Sequence, residues 1–510
     1  MSSLVVMIHN LAFHRALLFM SLLLLVLYLS SCTSALSISS NSAKVERSSE
    51  DYSSEAASST PISTPTTTLR EYLLPDNGQG NEEEGLYLAM GPAFFGFYGY
   101  FGALAGMEDE LYLQLDGLDD DGSDADIDSG SGEDEDRTTF SSPTSLLVER
   151  KILRGVSGAS AGAMAAIVLA AGISPHRASS FASMLGLTDI ADPGGLGAFL
   201  KGDRFESIMV DFLQTLSPIA AKRNNDTSCT DINSDASDSA AQSRYHQTLH
   251  LEDALIPVAV SAVDIQPQVT HVGSSWLRSL LSPLNYIEST YFPTAKILMH
   301  GSMARAARAS ACFPGLFQPV GWIDRSSTLS SSSSSSPTSN NTSSSSNNSS
   351  IDDPVTSSHS VTNDYSLLID GGIIDWAGYN GLKEIISTTG HANFDDGRGR
   401  IPQRNKTRVL NMVVGGFGTA PPGPEAVSKS LGVVVDSVFS LSITGLPSCG
   451  PLTMHNGVLA IRAARMAIRD AMDRPIIATT TTVDGTTGDN DHRKQQHHFV
   501  LEIDASSFVD

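Results

Sequence analysis

Apolar residues in this chain fall into short runs closed by glycine and proline, and these alternate with stretches of helical spacing. Leu86 to Met90 is apolar and is stopped by Gly91 and Pro92, as a buried strand would be, and Phe94 to Met107 then predicts a helix. Ser145 to Val156 reads as a second strand because it ends apolar. Ala161 to Ala171 is Ala-rich with almost no polar residue, so it predicts a helix that has to be buried. Phe199 to Leu216 is amphipathic. Ile256 to Val263 predicts a strand, with Val269 to Val272 as its hairpin return, and Ser302 to Ala311 predicts a helix leading into Phe313-Pro314-Gly315. Tyr365 to Ile369 reads as a strand ending at Asp370. Val409 to Val414 reads as another, stopped by Gly415 and Gly416, and Val458 to Met472 is amphipathic. Strands alternating with helices predict an α/β layered fold with a mainly parallel sheet.

Between these periodic segments lie polar ones. Residues 36–84 are rich in Ser, Thr, Pro and acids, with too few large apolar groups to offset the entropy of folding, and read as a disordered linker. Three inserts, near 116–144, 223–247 and 325–363, interrupt the region from 85 to 418. The first carries eleven acidic residues from Asp116 to Asp136, and the last an unbroken serine run from Ser330 to Ser336. Residues 419–510 form a C-terminal extension whose expected order is the helix at 458–472, a disordered loop from Thr479 to His498, and a short last strand from Phe499 to Ile503.

At the N-terminus, His14 and Arg15 precede an apolar run from Ala16 to Leu29, and Thr33-Ser34-Ala35 supplies small residues for cleavage. Residues 1–35 therefore read as a signal peptide or signal anchor. This predicts a secretory-pathway protein, lumenal or secreted, with membrane association or onward routing to a plastid or other organelle left open. Sequons such as Asn225 and Asn405 fit that reading.

The net charge of −24 argues against a nucleic-acid partner, which needs clustered Lys and Arg. Cys32, Cys229, Cys312 and Cys449 form no C-x-x-C pair and have no histidine at zinc-finger spacing, so a metal site is not expected. Cys312 sits in an apolar stretch, as a buried free thiol would.

Candidate chemistry sits at the strand ends. Gly158-Ala159-Ser160-Ala161-Gly162 has the G-x-S-x-G form between a predicted strand and a predicted helix. A nucleophile elbow needs a turn so tight that only small residues fit beside the serine, and every neighbour here is Gly or Ala. The turn would lift the hydroxyl clear of the sheet while the helix N-terminus aims N–H groups at a developing oxyanion. Gly91-Pro92-Ala93-Phe94-Phe95-Gly96 is a glycine-flanked loop able to offer further donors, and Asp370-Gly371-Gly372 places an acid at a strand end.

Taken together and in this order, the three resemble the patatin-like phospholipase family. The run from Gly91 to Tyr98 followed by Gly102 looks closest to its adipose triglyceride lipase branch. Ala309 to Pro314 is similar to the family's A-S-x-x-x-P segment, and Ile256 to Asp264 to its strand ending in an acid. The resemblance implies a three-layer α/β/α domain over 85–418 and a serine carboxylic ester hydrolase acting on glycerolipids at a membrane or lipid-droplet surface. It implies Ser160 as nucleophile and Asp370 as base in a dyad, with no cofactor. It further implies Gly158 and Gly162 in the elbow, Gly91, Pro92, Ala93, Phe94, Gly96 and Ala161 in the oxyanion loop and hole, and Gly371 and Gly372 beside the acid. The chain departs from the family in having Pro92 and Ala93 where donor glycines stand, Phe95 where a basic residue is frequent, and Trp376 and Gly378 in place of Asn and Pro after Asp375. Pro92 has no N–H. A rival reading is therefore a catalytically impaired relative that binds lipid or a protein partner. A third, a Ser-His-Asp α/β-hydrolase, would need a downstream histidine such as His391 or His455.

Overall fold

The computed structural model describes residues 65–74, 84–116, 143–194, 198–227, 248–265, 294–323, 365–391, 406–415, 422–433, 435–483 and 494–509. The segment 1–35, most of the acidic and serine-rich inserts, and Val269 to Val272 lie outside the described residues. Among the described residues no helix is long and apolar enough to cross a membrane.

In chain order the strands are β1 (Thr66–Thr67), β2 (Glu84–Met90), β3 (Leu153–Ala159), β4 (Val258–Asp264), β5 (Thr294–Leu298), β6 (Val320–Ile323), β7 (Tyr365–Asp370), β8 (Lys406–Val414), β9 (Ser437–Thr444), β10 (Ile476–Ile477), β11 (Thr479–Val483) and β12 (Lys494–Asp504). Ten of them form one sheet in the order β11-β12-β9-β8-β2-β3-β4-β7-β6, with β5 also on β4. The pairs from β12 through β4 are parallel, and the pairs involving β5, β6, β7 and β11 are antiparallel. The α/β class with a mainly parallel sheet is therefore as the pattern predicts.

The helices that matter here are α1 (Leu69–Leu73), α2 (Phe97–Asp116), α3 (Ala161–Ala170), α4 (Pro175–Met184), α5 (Leu187–Ile190), α6 (Asp203–Leu216), α7 (Met303–Ser310), α8 (Tyr379–His391) and α9 (Gly457–Ala471). One face of the sheet carries the large core that takes in residues of α2, α3, α7 and α9. The other carries a smaller core built on α8 and the helix Pro424–Leu431. All ten residues of α3 are buried, which alanine allows at little entropic cost.

Several expectations shift. The first expected helix starts at Phe97 rather than Phe94, because Phe95 takes a positive φ of 52° that no helix accommodates. The strand expected over Ser145 to Val156 splits into a helical turn, Leu146–Glu149, and β3, with Lys151 at φ 54° making the corner. Among the described residues, β4 pairs antiparallel with β5 and β7 and parallel with β3.

Within the linker read from sequence, β1 and α1 are ordered. Thr68 and Glu71 form a capping box, and the Tyr72 hydroxyl, fully inside the protein, donates to the Val409 or Ser437 carbonyl. The loop expected from Thr479 to His498 instead contains β11 and the start of β12. Its Thr-rich and polar residues find their ladder partners in β9 and in each other, which local hydrophobicity does not reveal.

The stretch after 418 is integral to the sheet through β9, β11 and β12, and α9 packs on α2. Gly102 and Gly106 let the two helices meet backbone to backbone. A Cβ at either would fall within 2.3 or 2.6 Å of the Ile461 or Arg465 carbonyl oxygen. Arg465 then reaches Asp109 at 2.6 Å and Arg469 reaches Glu110 at 3.0 Å.

Candidate active site

Strand register brings the site together. In the parallel β3–β4 pair Ala159 stands opposite Ser261, and in the antiparallel β4–β7 pair Ala262 stands opposite Asp370. The residue after Ala159 and the last residue of β7 therefore meet across one strand. Ser160 Oγ donates to Asp370 Oδ2 at 2.9 Å.

Ser160 occupies φ 54°, ψ −122°, a region that costs a non-glycine residue about 1–3 kcal/mol and persists only where its surroundings hold it. Those surroundings exclude side chains. A Cβ on Gly158 would fall 2.3 Å from the Gly162 carbonyl oxygen, and one on Gly162 would fall 2.5 Å from the Met90 and Gly91 carbonyl oxygens. The turn delivers the chain directly into α3, whose first N–H groups lack intrahelical acceptors and point partial positive charge at the serine.

Asp370 is 5% exposed. Its Oδ1 accepts the Gly372 N–H at 2.7 Å, and burial pushes its carboxyl up to about 6, opposed by the Gly372 and Ser160 hydrogen bonds. Gly371 must be glycine, since a Cβ there would sit 1.9 Å from the Ser261 carbonyl oxygen. Asp375, also buried, accepts the N–H groups of Tyr379 at 3.0 Å and Asn380 at 3.2 Å at the start of α8, and receives the Ser261 hydroxyl; its burial raises its carboxyl. It fastens α8 and β4 behind the site and does not line the cleft.

In the loop after β2, the Gly91 N–H donates to the Met412 carbonyl at 3.1 Å, and the Gly91 carbonyl accepts the Tyr100 hydroxyl at 2.7 Å. Pro92 does not line the cleft. Its ring packs on Gly372, where an added Cβ would fall 2.4 Å from the Pro92 Cβ, so it ties the loop after β2 to the loop after β7. Gly96 closes the turn with its N–H on the Ala93 carbonyl at 3.2 Å.

Ala93, Phe94 and Ala161 line one cleft together with Ser160 and Asp370. Gly91, Pro92, Gly96, Gly158, Gly162, Gly371 and Gly372 do not line it. The remaining wall is apolar and includes Phe95, Phe97, Met164, Phe205, Phe313 and Phe317. Among the described residues Asp370 is the single ionisable group lining it, and no histidine does. Among the described residues no group of three or more His, Cys, Asp or Glu is placed to hold a metal ion.

Sequence reasoning missed Leu185, Ile190 and Met454, which reach the cleft from the C-terminal cap of α4, from α5 and from the segment before α9. Nothing local marks them, because distant packing alone brings them there. Ser310, which touches the Ser160 backbone, was visible only as part of the A-S-x-x-x-P segment.

Residues 145–375 match the family model described as patatin-like phospholipase. No curated protein matches the chain. Among solved structures, VipD from Legionella pneumophila is similar at 13% identity and a TM-score of 0.31, covering 77% of this chain and 67% of that one, an overlap too loose to argue from. The matched stretch holds Ser160, Asp370 and the strands between them; it is similar to patatin-like phospholipases, and lipid acyl hydrolysis is the class of activity that this likeness supports.

Proposed function

We propose that the protein is a serine acyl hydrolase that cleaves carboxylic esters of glycerolipids, with Ser160 as nucleophile and Asp370 as its base. The observation that carries this reading is the 2.9 Å hydrogen bond from a strained, elbow-borne serine to a buried carboxylate at the wall of an apolar cleft. A base near 6 is ionised at neutral pH yet basic enough to take the serine proton. As Ser160 Oγ attacks the ester carbon, its proton passes to Asp370 Oδ2. The oxyanion then faces the N–H of Ala161 at the head of α3 and those of the Ala93–Phe94 loop. Collapse of the tetrahedral adduct returns the proton from Asp370 to the departing alcohol oxygen and leaves the acyl group on Ser160. Water, deprotonated by Asp370, releases the fatty acid. The acyl chain would lie among Phe94, Phe205 and Phe317.

Two further features support a lipid surface as the source of substrate. Ile373 and Trp376, just past Asp370, are exposed at 41% and 51%, and Leu452, two residues before the cleft-lining Met454, is exposed at 84%. The likeness of Gly91 to Tyr98 to the adipose triglyceride lipase branch makes neutral acylglycerols the first substrates to try. Pro92 favours the rival reading of an impaired lipid binder, because it removes one loop N–H. Its packing on Gly372 supports instead a structural use that leaves the donors of Ala93 and Phe94 in place.

Release of fatty acid from triacylglycerol and from phospholipid emulsions, compared between the parent and Ser160→Ala, tests the proposal. The expected result is turnover lost in the variant. Equal turnover in both would end the serine mechanism, and none in the parent would favour the binder.

A further inference from the structure

Ser310 closes α7 and is fully buried, and its hydroxyl does two things at once. It accepts the Ser160 N–H at 2.8 Å and donates its own hydrogen to the Ser261 carbonyl at 2.6 Å. The β3–β4 ladder ends at the pair Ala159 and Ser261, so Ser160 is the first residue past the last rung. There the chain swings to positive φ and the N–H leaves the sheet. A buried N–H without an acceptor costs about 1–3 kcal/mol. The Ser310 hydroxyl stands between that N–H and the Ser261 carbonyl as a side-chain rung that lets the strand end without leaving either group orphaned. Its single hydrogen is committed to the carbonyl, so a lone pair has to face Ser160. The carbonyl itself is on a fixed strand, because the Ser261 side chain is fastened to Asp375.

We infer that Ser310 is a positioning residue for the nucleophile: it holds the Ser160 backbone in the elbow conformation that keeps Oγ within hydrogen-bond reach of Asp370. The inference rests on the hydrolase reading for its kinetic consequences, and on geometry alone for its structural one. The N–H of the nucleophile itself is occupied by Ser310 and so is not free to serve as an oxyanion donor.

The test compares the full chain with Ser310→Ala and Ser310→Cys. Cysteine keeps nearly the side-chain volume but accepts hydrogen bonds poorly, so it holds the packing while removing the rung. For each, kcat and KM on a soluble acyl ester, the second-order rate of inactivation by a fluorophosphonate, and the thermal midpoint are measured. Both variants are expected to lose about 100-fold in kcat and in inactivation rate, the scale of a nucleophile misplaced by about 1 Å, with KM nearly unchanged and the cysteine variant still folded. A merely structural serine would lower the midpoint and leave kcat of the folded protein intact, and that outcome overturns the inference. So does a cysteine variant with parental rates.

If the alanine variant does not fold, the cysteine variant decides. If the parent neither turns over nor labels, the hydrolase reading has failed, and crystal structures of parent and cysteine variant still decide the positioning role. Ser160 Oγ moved out of hydrogen-bond reach of Asp370 supports it, and an unmoved elbow overturns it.

Discussion

Replacing Asp370 by asparagine should separate the site's chemistry from its cost in stability. Burial raises the Asp370 carboxyl from an ordinary value near 3.8 to about 6, a shift of about two units. At about 1.4 kcal/mol per unit, the folded state gives up ~3 kcal/mol to hold this carboxylate ionised. The sign follows from proton uptake. Between about pH 4 and about pH 6 the folded protein binds the proton more tightly than the unfolded chain. The stability contributed by the protonated group is therefore fully present below about pH 4, and is lost as pH rises through about 6. Asparagine reproduces the neutral form: its oxygen can accept the Gly372 N–H, and its amide can donate to Ser160 Oγ. Asp370→Asn should thus be more stable than the parent by ~3 kcal/mol near neutral pH and equal to it in acid, while losing turnover. Urea unfolding of both proteins at neutral and acid pH reads this directly. A variant that is no more stable at neutral pH, or a gap that does not narrow in acid, refutes the reasoning.

Three more outcomes follow from the same geometry. The kcat/KM on a soluble ester should fall about tenfold per pH unit below about 6 and level off above it, as ionisation of Asp370 requires, and a flat profile would contradict that role. Leu185 lines both the cleft at Ser160 and an outer groove bounded by Phe181 and Phe212, so Leu185→Ala should join the two. It should raise the long-chain to short-chain kcat/KM ratio by about tenfold in a series of acyl esters, and an unchanged ratio would show that the wall lies elsewhere. Glu108 is buried where α2 meets the turn at Ser145, accepts the Ser145 hydroxyl at 2.5 Å, and is pushed by burial from 4.5 up to about 7. The stability it contributes when protonated is present below about pH 4.5 and lost as pH rises through about 7, so Glu108→Gln should flatten the pH dependence of urea unfolding by ~3 kcal/mol over that span.

What could be read from the sequence was what local physics fixes. Gly158, Gly162 and Gly371 are written into the chain because each sits where a Cβ would meet a backbone oxygen, and such a constraint appears as a glycine at one position. The α3 helix was legible for a related reason, since only an all-small, apolar helix can be buried on every side. Thr66 to Leu73 and the polar residues that open β12 were not legible. Their order comes from partners hundreds of residues away, such as the Val409 and Ser437 carbonyls that receive Tyr72, and their own composition reads as solvated. Pro92 illustrates the limit within the site. As a residue type it signals a lost donor, and its packing against Gly372 could be seen only in three dimensions.

Whether Asp370 activates Ser160 for acyl transfer is read most directly by mass-spectrometric mapping of the fluorophosphonate adduct in the parent and in Asp370→Asn. An adduct is expected on the peptide holding Ser160 in the parent and none, over the same time, in the variant. An adduct on a different serine, or equal labelling of Ser160 in both proteins, would contradict it.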